Sequence, residues 1–254
     1  MLKRIINCKR NFCIMVETEL VQNNKIVKLI LPKVCNLECF KWALEDTCKS
    51  IRESADVRVA VITSESDAFL ETPQSNEDLN LNGISEILAA IEIPIIVGIE
   101  NDAHGLGLEV ALACDIRVCS LSSTFSMPQV GLGHIPVNGG TQRLPRIVGQ
   151  GRALELILTG RKFDSTEAVE MGLVQYVSST SVADDALDLA VAISKHAPIA
   201  AKYLKEAVNS GMDMTIKQGM GLEADLSVIL QSTADRSEGI RSFLIKRDPN
   251  YIGE

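Results

Sequence analysis

Apolar positions recur along this chain with two different periods, and the change falls a little past the middle. Lys25–Leu31 reads as a strand and is stopped by Pro32. Val57–Thr63, Ile95–Ile99 and Ile116–Ser120 are short β-branched runs of strand length. Between them, Leu37–Ser54, Leu79–Ile91 (closed by Pro94) and Gly105–Ala113 place apolar residues at helical spacing. After Gly139-Gly140 only the helical period remains, predicting helices near Gln142–Ile147, Arg152–Thr159, Ser165–Met171, Ala183–Lys195, Ile199–Ser210, Met214–Gln231 and Ala234–Lys246. Strands alternating with helices, followed by a helical tail, predict an α/β core with a helical C-terminal region. The tail is too generously apolar for a free-standing bundle, so part of it should pack on the core or on another subunit.

Composition sharpens this picture by exclusion. With 254 residues, 46% of them hydrophobic, the chain has ample material for a buried core and cannot be a disordered one. The formal net charge is −8, and the basic residues are unevenly spread. Lys3, Arg4, Lys9 and Arg10 crowd the first fourteen residues, and the remainder holds 21 basic against 33 acidic residues, a balance of −12. An acidic body with one Trp, three Tyr and six Phe excludes a nucleic-acid partner. The basic head is interrupted by Asn7, Cys8 and Lys9, too early for a secretory apolar segment of roughly 7–15 residues, and it contains no Ser. It reads as a small extension, or as a start misplaced ahead of Met15. No run of 18 apolar residues exists, so no membrane helix is expected. Seven cysteines without a CxxC, beside three histidines, assemble no zinc spacing and read as reduced, buried thiols of a cytoplasmic protein. No metal site is expected.

One segment carries chemistry. Gly105-Leu106-Gly107 follows a strand signal and opens a helix, but Val110 occupies the third small position of a dinucleotide fingerprint and the later acid is missing. What remains is a helix start with unpaired N–H groups, able to stabilise a negative charge that forms beside them. One turn on, Glu109 stands in the apolar stretch Leu-Glu-Val-Ala-Leu-Ala. Desolvation would raise its pKa and suit it to proton transfer; equally, a first-turn acid can simply complement the helix dipole.

From about Lys25 to Gly253 the chain resembles the enoyl-CoA hydratase/isomerase (crotonase) superfamily. The segments that carry the resemblance are Pro32–Leu37, Val57–Phe69, Ile95–Gly98, Gly105–Asp115, Gly139–Pro145, Thr159–Arg161, Ala168–Val174 and Phe243–Asn250. The resemblance implies an α/β fold: a crotonase-like ββα spiral core over residues 15–195, preceded by the extension 1–14, with a C-terminal helical oligomerisation region over 196–254. It implies an acyl-CoA thioester substrate, homotrimers or dimers of trimers, and no separate cofactor. It places the two N–H groups that hold the thioester oxygen at Leu106, beside Gly107, and at Glu71. Glu109 becomes the acid/base, Lys33 lies near the CoA, and Phe243 and Lys246 reach toward its nucleotide end. For Lys246 an ordinary solvated lysine is the equal alternative.

The chain also departs from the hydratase pattern. Gln129, in Phe125-Ser126-Met127-Pro128-Gln129, replaces the second catalytic glutamate, and an amide can orient water but cannot exchange a proton near neutrality. The first oxyanion loop reads Leu70-Glu71-Thr72-Pro73-Gln74 instead of small residues. Leu106 stands where glycine is usual, and Val137-Asn138 replace Gly-Ala. Hydration of a 2-enoyl-CoA is the leading expectation. Decarboxylation or double-bond isomerisation using Glu109 alone, or an acyl-CoA-binding paralogue with weak catalysis, are the alternatives. His104, just before the glycines, offers either a proton donor or a structural ring.

Overall fold

The computed structural model describes residues 16–32, 37–64, 66, 68–70 and 83–254. Lys33, Glu71, the loop 72–74 and the extension 1–14 lie outside the described residues.

Two sheets organise the core. The larger runs in the order β1 (Glu17–Val21), β2 (Ile26–Leu31), β3 (Val59–Ser64), β4 (Ile95–Ile99), β6 (Ile116–Ser120), β9 (Tyr176–Ser178). All neighbours are parallel except β1, which returns antiparallel through a turn where Gln22, Asn23 and Asn24 adopt positive φ. The smaller sheet contains β5 (Ala103–His104), β7 (Thr124–Ser126) and β8 (Phe163–Asp164). Because side chains alternate along a strand, the parallel strands are apolar on both faces. Val27, Leu29, Ala60, Ile62 and Val97 face the main core, while Ile26, Val59, Val61, Ile96 and Val118 pack under α7 (Val182–Ser194). Ser181 caps α7 by accepting from Asp184 N–H.

On the main-core side lie α1 (Leu37–Glu53), α2 (Ile84–Ala89), α3 (Leu106–Leu112) and α4 (Gly140–Val148), with α5 (Gln150–Thr159) and α6 (Ser165–Glu170) following in sequence. The sequence-predicted strands and helices coincide with these to within a few residues, and Ile95–Ile99 and Ile116–Ser120 coincide end to end. For Leu79–Ile91 the described helix is the shorter Ile84–Ala89. Not foreseen were β1, β5, β7, β8 and β9.

A buried guanidinium ties the end of α3 to later chain. Arg117 donates to Ala111 O (3.3 Å), Cys114 O (2.7 Å), Asp115 O (3.5 Å) and Leu173 O (2.6 Å), so the arginine sits inside the core with its donors spent on main-chain carbonyls. Cys48, Cys114 and Cys119 are buried, and burial pushes the Cys114 thiol up to about 12.

The tail comprises α8 (Pro198–Gly211), α9 (Ile216–Leu230) and α10 (Ala234–Ile245). It touches the core through α8, where Lys205 Nζ meets Asp115 (2.8 Å) and Ile93 O (3.0 Å). It also returns through the C-terminal segment: Arg58 binds Tyr251 O, while Asp235 accepts from Ile252 and Gly253 N–H. Among the described residues no helix is long and apolar enough to cross a membrane.

Candidate active site

Glu109 lies one turn into α3, and its side chain is only 2% exposed. A carboxylate cannot be buried bare; its oxygens must accept hydrogen bonds. Oε1 accepts two main-chain donors, Asn138 N–H at 2.7 Å and Gly140 N–H at 2.9 Å. Oε2 accepts Gln129 Nε2 at a longer 3.3 Å. Burial raises the Glu109 pKa; the Gly140, Asn138 and Gln129 hydrogen bonds and the Arg143 charge oppose that rise without cancelling it. The acid is therefore tuned toward proton exchange and oriented through Oε1, with Oε2 the less committed oxygen.

The donors come from the segment that the resemblance marked as changed. Asn138 is buried and held on two sides: Oδ1 accepts Ile84 N–H, and the carbonyl accepts the Ser85 hydroxyl and Arg143. It fixes the turn whose N–H holds Glu109. Gly140 must be glycine for space, since a Cβ there would meet Pro136, Met127 and Glu109 Cγ at 2.9–3.1 Å. Sequence reading noted the substitution at Asn138 but not its role as a carboxylate donor. Only the glycine pair that follows it hinted at tight packing.

Gln129 sits in a 3₁₀ turn (Pro128–Leu132) after β7 and is 5% exposed. Its Oε1 is buried with no hydrogen-bond partner, an orphan acceptor beside the carboxylate. The structure thus brings Glu109 and Gln129 side by side.

Leu106 is the first residue of α3, a position whose N–H has no partner within the helix. Its side chain is buried in the core cluster. The position that demands glycine is the next one. A Cβ on Gly107 would lie 2.0 Å from Phe69 O, so α3 and the Phe69–Leu70 segment touch backbone to backbone. Leu70, the last described residue before Glu71, has φ 61°.

His104 is not near-bare: Nδ1 lies 2.9 Å from Ser126 Oγ and Nε2 lies 3.4 Å from Asp102 Oδ2. Phe243 and Lys246 stand at the far end of α10, where Phe243 is 83% exposed and Lys246 closes the helix with φ 55°. Among the described residues the hydrogen bonds of Glu109 run to Asn138, Gly140 and Gln129 and not to α10. Among the described residues no cluster of His, Cys, Asp and Glu fits a metal ion.

Comparison with known proteins agrees with this architecture. The chain is 41% identical over 175 residues to a mitochondrial enoyl-CoA hydratase-type relative from Arabidopsis thaliana, spanning 68% of this chain and 58% of that protein. It is 31% identical over 225 residues to the crotonyl-CoA hydratase of Syntrophomonas wolfei, 83% of this chain and 86% of the relative. The crystal structure of enoyl-CoA hydratase from Bacillus anthracis superposes with a TM-score of 0.85 at 31% identity, covering 91% of this chain and 96% of that one. Residues 27–254, nearly all of the described fold, match the sequence profile of the Enoyl-CoA hydratase/isomerase family, and the chain belongs to that family.

Proposed function

We propose that the protein hydrates and dehydrates a 2-enoyl-CoA with Glu109 as its single acid/base. The observation that carries this reading is the pairing of Glu109 Oε2 with the amide of Gln129, whose own Oε1 is buried and unpartnered. Those two oxygens are acceptors for the two hydrogens of one water, which leaves its lone pair free for the β-carbon. Glu109 Oε2 takes one water proton as the C–O bond forms. The negative charge moves onto the thioester oxygen, held by the N–H groups of Leu106 and Glu71, and Glu109 then returns the proton to the α-carbon. Water is consumed, the carbon–carbon double bond is lost, and the carboxylate ends as it began. Lys33, Phe243 and Lys246 supply the CoA-facing contacts in this reading. The apolar side chains exposed on the tail, among them Leu204, Val208, Met220, Val228, Phe243 and Leu244, support assembly into a homotrimer or a dimer of trimers.

The test is mass detection of crotonyl-CoA gaining one water. Glu109→Gln should lower turnover by about 10²–10⁴-fold; a variant that keeps wild-type turnover sinks the assignment. A second reading is favoured by the same amide: with one carboxylate, the site suits protonation of an enolate formed by decarboxylation, or a 1,3 proton shift in isomerisation. CO₂ release from methylmalonyl-CoA, without hydration of crotonyl-CoA, selects decarboxylation. Calorimetric binding of CoA thioesters without any turnover selects the binding paralogue.

A further inference from the structure

On the other side of the strands that deliver Leu106 and Gln129 lies a cluster the proton chemistry leaves unused. Residues 102 and 104 point to one face of β5, and residues 124 and 126 to one face of β7, by the alternation of extended chain. The two strands are parallel, with His104 opposite Ser126. Asp102 Oδ1 accepts both the Thr124 N–H (3.0 Å) and the Thr124 hydroxyl (2.8 Å). His104 Nδ1 meets Ser126 Oγ at 2.9 Å, and Nε2 faces Asp102 Oδ2 at 3.4 Å.

The charged groups that bear on the ring are Asp102, directly ahead of β5, and Lys162, directly ahead of β8. Burial, reinforced by the Lys162 charge, holds the imidazole below its ordinary pKa, so it is neutral near pH 7. Asp102, kept ionised below the usual carboxylate range by the Thr124 hydrogen bonds against the effect of its burial, can only accept. Nε2 approaches Asp102 without a hydrogen bond, so the neutral ring is held through its Nδ1–Ser126 Oγ hydrogen bond.

This cluster meets three segments of the site. Asp102 O accepts Phe69 N–H (2.7 Å), and Ala68 bridges to Asp102, which fixes the chain leading to Glu71. His104 precedes Gly105, whose N–H is bonded to Ser126 O (3.0 Å), directly before Leu106. Ser126 lies three residues before Gln129. We propose that Asp102, His104, Thr124 and Ser126 form a two-rung polar ladder that places the Leu106 N–H and the Gln129 amide against the Phe69–Leu70 segment, with His104 and Ser126 as positioning residues. The proposal rests on the thioester reading above, because its measure is the polarisation of a thioester oxygen.

The experiment uses acetoacetyl-CoA, whose enolate absorbs in the near ultraviolet and reports oxyanion stabilisation without turnover. His104→Leu and Ser126→Ala should each lower the bound-enolate signal and crotonyl-CoA kcat by about 10–100-fold, as misplaced donors do. KM should shift far less, and the double variant should be no worse than the weaker single. His104→Asn, whose amide occupies the Nδ1 position, should restore most of the signal. Wild-type signal in both single variants overturns the ladder, as do losses that multiply in the double variant or a failure of His104→Asn to recover. A wild-type protein without an enolate signal refutes the thioester reading, and the ladder's role falls with it; a wild-type signal that every variant keeps refutes the ladder alone.

Discussion

Gly107→Ala tests the contact that holds the site together. The added methyl would lie 2.0 Å from Phe69 O, 3.2 Å from Phe69 C and 3.4 Å from Leu70 O. All three atoms are main chain, so no side chain can swing aside. Restoring ordinary contact at 3.4 Å requires α3 and the Phe69–Leu70 segment to part by about 1.4 Å. Overpacking of this kind costs about 1–3 kcal/mol. At about 2–4 °C per kcal/mol for a chain of this size, Tm should fall by about 2–12 °C. The functional loss should exceed the stability loss, because the parted segments carry the proposed oxyanion donors. A displacement near 1 Å costs on the order of 10²-fold in rate. Thermal melts paired with crotonyl-CoA kinetics read both effects, and KM should move less than kcat because the proposed CoA-facing residues Phe243 and Lys246 belong to the distant end of α10. A variant that melts within about 1 °C of wild type and keeps kcat within about twofold would refute the backbone contact.

Three further outcomes follow from the same geometry. The folded pKa of Glu109 lies above its unfolded value, so its stabilising contribution is complete at acid pH and is lost as pH rises through that folded pKa; the stability of Glu109→Gln relative to wild type should therefore grow from about pH 4 to pH 8, and a pH-independent difference in melting would contradict the raised pKa. Gln129→Glu should increase crotonyl-CoA hydration by about tenfold or more by restoring a second proton carrier. Its pH profile should report a coupled carboxyl pair, and an unchanged rate would show that the missing acid is not limiting. Arg117→Met should lower Tm by at least about 6 °C, since several buried carbonyls lose their donor at about 1–3 kcal/mol each. Arg117→Lys should recover less than half of that, lacking the fork that reaches Leu173 and Cys114 together; a Met variant as stable as wild type would deny the arginine its role.

The elements that the sequence announced are those whose burial is regular. Ile95–Ile99 is buried on both faces and so reads as an unbroken apolar run. β1 escaped notice because it is a partly exposed edge strand, Glu-Thr-Glu-Leu-Val, whose partner lies across an Asn turn. β5 and β8 have two residues each, too short to display any period. Glu109 was legible because an acid amid Leu, Val and Ala is conspicuous. Its Asn138 and Gly140 donors were not, because a main-chain N–H looks alike in every residue type. The His104–Ser126 pair was invisible for a different reason: 22 residues separate the two, and only the register of two very short strands brings them together.

Arg117 also imposes an order on assembly during synthesis. Three of its carbonyl partners, Ala111, Cys114 and Asp115, lie at or just beyond the end of the helix that bears Glu109, while the fourth, Leu173, is made more than fifty residues later. A nascent chain that has not yet produced Leu173 holds a charged guanidinium at the mouth of its own core with nowhere to bury it. The end of α3 stays open to water until the chain beyond α6 arrives to close it. Closure of the proposed site is thus deferred to the later half of translation, and a chain that stops before Leu173 carries Glu109 without the carbonyl that completes the arginine's burial.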